Sequence, residues 1–206
     1  MLFFSRFISI VFHPINYPLV VTFLYFLLSP EHISDDNKQS IYIMVGLGAY
    51  VFPLIMFLLL RKFGMITSFH SASVEERKFP TTILVLMSLI IARFSFKLEE
   101  TKFLAFFFFG FALALFFTYI LLHFKQKISQ HSISIISLIS FMLCFSYHFQ
   151  INVIIILIAA FVAKGFVIFS RLKLGEHNAY EICMGLLVGI LTQLTSYGMA
   201  ITYLKK

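Results

Sequence analysis

Ser170-Arg171-Leu172-Lys173-Leu174-Gly175-Glu176-His177-Asn178-Ala179-Tyr180-Glu181 breaks into two long apolar runs with an arginine, a histidine and a carboxylate. Charge in such surroundings is costly, and where it occurs it usually has a task. His177 and Glu181 stand four positions apart, the spacing that puts two side chains on one face of a helix. A carboxylate so placed holds one imidazole nitrogen and leaves the other to attack. This is the arrangement of an activated nucleophile.

Outward from that stretch the chain is strongly apolar. Its 206 residues are 60% hydrophobic and 12% charged, where a soluble domain is roughly half apolar and a quarter charged. The excess lies in long runs, so the expected class is all-α: a polytopic membrane bundle of six to seven transmembrane helices. The net charge of +7 comes from basic residues scattered between the runs rather than gathered in a stripe. They read as loop charges and phosphate ligands; the expected partners are membrane lipids, with no nucleic acid. Cys144 and Cys183 both lie inside apolar runs, where packing or lipid contact is expected and a disulfide is not. Arg6 is a single charge before a run that continues through Leu28 with no small-residue cleavage site. That segment is expected to be a retained membrane helix rather than a signal peptide.

Seven apolar segments can be drawn, at about 7–29, 41–60, 80–96, 103–123, 132–148, 152–169 and 179–203, each near the roughly 20 residues a helix needs to cross a bilayer. Only Phe149, Gln150 and Ile151 divide the fifth from the sixth. A tight hairpin is expected there, because one fused helix would exceed about 50 Å. His13-Pro14 and Tyr17-Pro18 must kink or interrupt the first segment. A broken helix can line a site, but a structural kink is the preferred reading, with His13, His32, His123 and His148 structural or interfacial. Phe106 to Phe109 read as lipid-facing bulk. No repeat or low-complexity linker is visible, so residues 1–206 are expected to form a single integral-membrane domain.

Alternation of seven spans then sorts the loops. The loops after the second, fourth and sixth spans share one face, and hold His70 through Pro80, Lys125 through His131, and Ser170 through His177. The opposite loops carry Glu31, Asp35, Asp36, Glu99 and Glu100, which read as solvated connections. Nearly every polar residue with catalytic potential is therefore expected on one side.

These residues resemble the motifs of the type 2 phosphatidic acid phosphatase superfamily of membrane lipid phosphatases. That superfamily carries Lys, six residues, Arg-Pro; then Pro-Ser-Gly-His; then Ser-Arg, five residues, His, three residues, Asp. The third motif is matched by Ser170, Arg171, His177 and Glu181 with its spacing intact and Glu in place of Asp. The second is matched by Ile128-Ser129-Gln130-His131, which keeps the serine and histidine and lacks the proline and glycine. For the first, His70 stands six residues before Arg77, with Lys78-Phe79-Pro80 following. The resemblance covers roughly residues 69–189 and is specific in its last motif. It implies a phosphatase or phosphotransferase acting on a lipid phosphate or diphosphate, such as a polyprenyl diphosphate, a phosphatidate-type lipid or lipid A. It also implies an extracytoplasmic active face in a cell inner membrane. With Lys164 inside a span left uncounted, Lys and Arg divide nine to six between the faces, and six to six once Arg77, Lys127 and Arg171 are set aside as ligands, so the positive-inside rule decides nothing.

The chemistry assigns the roles. Phosphate esters hydrolyse slowly, so a nucleophile, an acid and positive charge for the oxygens are needed. His177 is the expected nucleophile, through a phosphohistidine, with Glu181 fixing its tautomer. His131 is the expected acid for the leaving group and the base for water. Arg77 and Arg171 are expected to clamp phosphate oxygens in forked geometry. Ser129, Ser170, His70 and Lys127 are further candidate phosphate ligands, and Lys164, on the face of Arg171 seven residues earlier, is a candidate supporting charge. No metal or cofactor is expected, since no carboxylate cluster is present to hold an ion. Gly185 and Gly189 continue the spacing of four from His177 and Glu181, and are expected to admit a close helix neighbour, the serine-bearing segment from Ser132 to Ser140. A non-catalytic lipid-phosphate binder or assembly factor that retains the fold is the competing expectation. A small transporter fits less well, as no inverted repeat is present.

Overall fold

Three serines set where helices begin. Ser34, Ser73 and Ser129 each turn a side-chain oxygen to a backbone N–H three residues on, at 3.3 Å from Asn37, Glu76 and Ser132 respectively. Asp35 and Asp36 follow the first cap and Glu75 and Glu76 the second, against the positive end of the helix. A computed structural model describes residues 2–66 and 73–204. Among these it contains helices and no strand, and seven helices are long and apolar enough to cross a membrane. The protein is an all-α integral membrane bundle.

The first span is α1 (Leu2–Val11), a 3-10 turn at Pro14–Asn16, and α2 (Tyr17–Leu28). The second is α3 (Asp35–Val45), a π-helical stretch at Gly46–Val51, and α4 (Phe52–Lys62). Then come α5 (Val74–Ser95), α6 (Lys102–His123), α7 (Gln130–Phe149), α8 (Ile154–Lys173) and α9 (Ala179–Leu204). The third span begins six residues before the expected position because the capped first turn is polar and so escapes an apolar count. Pro80 is consequently inside α5, and Arg77 is on a helix rather than in a loop. The expected hairpin joins α7 to α8, with Gln150 in the left-handed region at φ 55° and Asn152 Oδ1 accepting from Ile154 N at 3.0 Å.

Helix α7 is the hub. Of its apolar stretch 72% is buried, against 56% or less in every other span. It packs on α8 and α9, and α9 packs on α6. The expected small-residue contact is present: a Cβ on Gly185 would lie 2.8 Å from the Ser129 carbonyl oxygen and 3.2 Å from Ser132 Cβ. Gly189 is likewise pressed against Ile136 and Ser137. Phe107 and Phe108 do not face lipid as expected. Both are fully buried, in an aromatic cluster with Phe103, Phe141 and Phe145. A phenylalanine run fits the inside of a bundle as well as the outside, since composition carries no direction.

Several polar bonds join helices at the end that carries Arg171 and His177. Ser170 Oγ donates to Ser5 O at 2.5 Å, linking α8 to α1. The Ser129 backbone N–H donates to Glu181 O at 3.1 Å, linking the starts of α7 and α9. Gln130 Nε2 donates to Thr81 Oγ1 at 3.4 Å, linking α7 to α5.

Candidate active site

The turn between α8 and α9 is built locally. Gly175 ends α8 with φ of 67°, a backbone state that costs glycine little and other residues much. The chain folds back so that Glu176 Oε2 lies 3.8 Å from Arg171 Nη2. Asn178 then caps α9, its Oδ1 accepting from Glu181 N at 2.8 Å. His177 thus precedes the helix rather than riding on it, and Glu181 occupies the third helical position. The two still meet. His177 Nδ1 lies 2.6 Å from Glu181 Oε2, so the ring donates through Nδ1 and keeps Nε2 as its acceptor nitrogen.

His177, His131, Arg171 and Arg77 line one cavity of about 120 Å³. His13, Glu76, Thr81 and Gln130 complete its polar end. Ala49, Phe57, Leu84, Met87, Phe111 and Leu115 form an apolar arm between the second, third and fourth spans. Ala49 comes from the π-helical stretch, an irregularity that recurs at functional sites.

Ser9 of α1 organises two of these residues. Its hydroxyl accepts from Arg171 Nη1 at 2.8 Å, and its carbonyl lies 3.2 Å from His131 Nε2. A carbonyl only accepts, so the hydrogen sits on Nε2 and His131 shows Nδ1 as its remaining nitrogen. Arg171 is 3% exposed and its Nε has no hydrogen-bond partner among the described residues. A buried guanidinium left short of acceptors in a cavity wall is a ready anion ligand. Burial pushes the pKa of His177 down to about 4, with Arg171 and Arg77 acting in the same direction and Glu181 opposing them. The ring is neutral at neutral pH, as a nucleophile must be.

Several sequence-derived candidates take other roles. Ser129 and Ser170 are fully buried, and neither lines the cavity. The first spends its hydroxyl on the α7 cap and the second on Ser5. A short side chain at a helix terminus reaches backbone groups before it reaches a ligand. Lys127 is not among the described residues that line the cavity. Lys164 turns away from it: its Nζ lies 4.6 Å from the centre of the Phe161 ring, toward the start of α8, the direction helical side chains lean. His70 lies outside the described residues.

Sequence reasoning missed Ser9, His13, Glu76 and Gln130. The break at Pro14 is more than a structural kink, because His13, Pro14, Ile15 and Pro18 all line the cavity. The His13 ring meets that of His131 edge-on, with centres 5.5 Å apart. A signal was available: Ser5, Ser9 and His13 recur every four residues, a polar stripe on one face of an apolar helix. Comparison of the chain with protein-family models, with curated proteins and with solved structures finds no match.

Proposed function

We propose that the protein is a membrane phosphatase, a divergent relative of the type 2 phosphatidic acid phosphatases, that hydrolyses a lipid phosphate or diphosphate through a phosphohistidine. One observation carries the reading. A carboxylate-held neutral histidine, a second histidine and two arginines line the same cavity, and that cavity continues into an apolar arm. A phosphate joined to a hydrocarbon has this division of polarity.

In the first step the Nε2 lone pair of His177 attacks phosphorus and the phosphorus–oxygen bond to the lipid breaks. The leaving oxygen takes a proton from protonated His131 at Nδ1. In the second step water gives a proton to the same nitrogen, its oxygen bonds to phosphorus, and the bond from His177 to phosphorus breaks. Arg171 and Arg77 hold the non-bridging oxygens while charge builds on them. Glu181 keeps Nδ1 protonated before attack and stabilises the charged ring after it. The working face is extracytoplasmic and the membrane is a cell inner membrane under this proposal.

A second reading, lipid-phosphate binding without turnover, is favoured by the departures at the second motif, where Ile128 and Gln130 stand in place of proline and glycine. The test is phosphate release from a panel of lipid phosphates and diphosphates by purified protein, with His177→Ala as control. Release that depends on His177 supports the enzyme; binding of the lipids with no release supports the second reading.

A further inference from the structure

We infer that the apolar arm of the cavity gauges the length of one hydrocarbon chain, which makes the substrate class a single-chain lipid phosphate with a chain near decyl length. The inference rests on the proposed phosphate site and adds to it the shape of the lipid. Three observations lead to it, and the first is depth. On α5 the lining runs along one face, from Arg77 through Thr81 and Leu84 to Ser88. From Arg77 to Ser88 the helix advances about 16 Å, roughly half of a hydrocarbon core about 30 Å thick. On α6 the deepest lining residue is Phe111, about 18 Å by the same rise from the helix end at His123. On α7 the lining stops at Ser134, one turn past His131. The arm is therefore a shaft between the second, third and fourth spans, with the arginines at its head.

The second observation is a closed end. Ile91 comes next on the same face of α5; it is 1% exposed and does not line the cavity. Its side chain stands close to Gly48, where a Cβ would lie 3.4 Å from Ile91 Cδ1. One turn deeper than Phe111 on α6, Phe107 and Phe108 are fully buried and do not line the cavity either. The shaft ends against these side chains. The third observation is bulk. The cavity's volume of about 120 Å³ is room for roughly ten water molecules. A methylene group takes nearly the space of one water, so a phosphate and a single decyl-sized chain fill the cavity. A second chain beside the first does not fit. With the phosphate held at the head and the far end closed, excess length has no exit. A chain that is too short leaves apolar walls without contacts, and one that is too long forces the floor apart.

The probes are hexyl-, decyl- and hexadecylphosphonate, whose carbon–phosphorus bond the proposed chemistry does not break. Each is titrated by calorimetry into purified full-length protein, at equal mole fraction in one detergent so that transfer of the chain from water does not enter the comparison. Decylphosphonate is expected to bind tightest, with the shorter and longer chains each weaker by roughly 10-fold, the usual effect of an unfilled or an overfilled apolar site. Two substitutions move the floor. Ala49→Leu adds bulk inside the shaft, and hexylphosphonate should then bind at least as tightly as decylphosphonate. Ile91→Ala deepens the shaft, and hexadecylphosphonate should gain on decylphosphonate. Melting temperature is recorded for both variants, and the wild-type series decides alone should either fail to fold. Binding of none of the three by the wild type removes the phosphate reading and the gauge with it. Equal binding of all three, or tightest binding of hexadecylphosphonate, removes the gauge and leaves the phosphate site. An unmoved decyl optimum in both folded variants overturns the inference as well.

Discussion

Arg171 and Lys102 are both basic residues set in apolar helices, at opposite ends of the bundle. Arg171 is 3% exposed and bonds to Ser9, 162 residues away in the chain. Lys102 pairs with Glu99, three residues away, whose side chain is 81% exposed. Lys38 and Asp35 repeat the local pattern, with Asp35 fully exposed. Neighbouring pairs on one helix are screened by solvent and fix only local geometry. Buried bonds between distant helices fix the tertiary arrangement, and breaking one strands a desolvated partner. Arg171 belongs to the second kind and Lys102 to the first.

The sharpest way to break this comparison is at His177, the proposed nucleophile. His177→Ala is expected to abolish phosphate release while the protein still folds, as judged by size-exclusion and melting; wild-type turnover in that variant moves the chemistry elsewhere. Glu181→Gln comes next, with turnover expected to fall at least about 100-fold because the amide can hold the wrong tautomer. Glu181→Asp should fall less. Full activity in Glu181→Gln would leave the nucleophile standing and remove its orienting partner.

The pH profile follows from burial. With its pKa pushed down to about 4, His177 stays neutral far below the ordinary histidine value, so kcat/KM should show no acid limb near pH 6.5. Activity falls only as pH drops toward about 4, while an alkaline limb reports His131, which must be protonated to serve as acid. The same shift makes stability depend on pH. A histidine whose folded pKa is depressed contributes stability that is present above its unfolded value, near 6.5, and lost as pH falls toward 4. An acid limb at pH 6.5 in the free enzyme would contradict the buried, neutral ring.

Gly185→Ala should destabilise the protein by about 1–3 kcal/mol, the usual effect of forcing a methyl group into filled space, because its Cβ would meet the Ser129 carbonyl oxygen. A melting temperature unchanged in detergent would mean that α7 and α9 separate more easily than their packing indicates. At the opposite end Lys38→Ala should leave melting and turnover unaltered, and a measurable loss there would erase the contrast between the two ends.

Much of the bundle was legible because membrane spans are written in runs of single residues, and the His177–Glu181 pair because four residues of spacing bring side chains together on a helix or at its cap. The helix starts at Asp35 and Val74 were not legible in apolar counts, since capped turns are polar. Ser129 and Ser170 match motif positions but spend their hydroxyls on the backbone, a choice made by local geometry that residue type does not reveal. The polar stripe of Ser5, Ser9 and His13 was visible, but what it meets was not. The partners of Ser9, His131 and Arg171, lie 122 and 162 residues away, and no short-range spacing encodes such a meeting.

The bond from the Ser129 amide to the Glu181 carbonyl has a consequence for how this site can drift. It joins the ends of the helices that bear His131 and Glu181, and it belongs to the main chain. Any residue except proline at position 129 carries the same N–H. The spacing of the two termini is thus inherited by whatever letters occupy that loop, and the side chains around His131 are at liberty to change while the distance between the two helix starts does not.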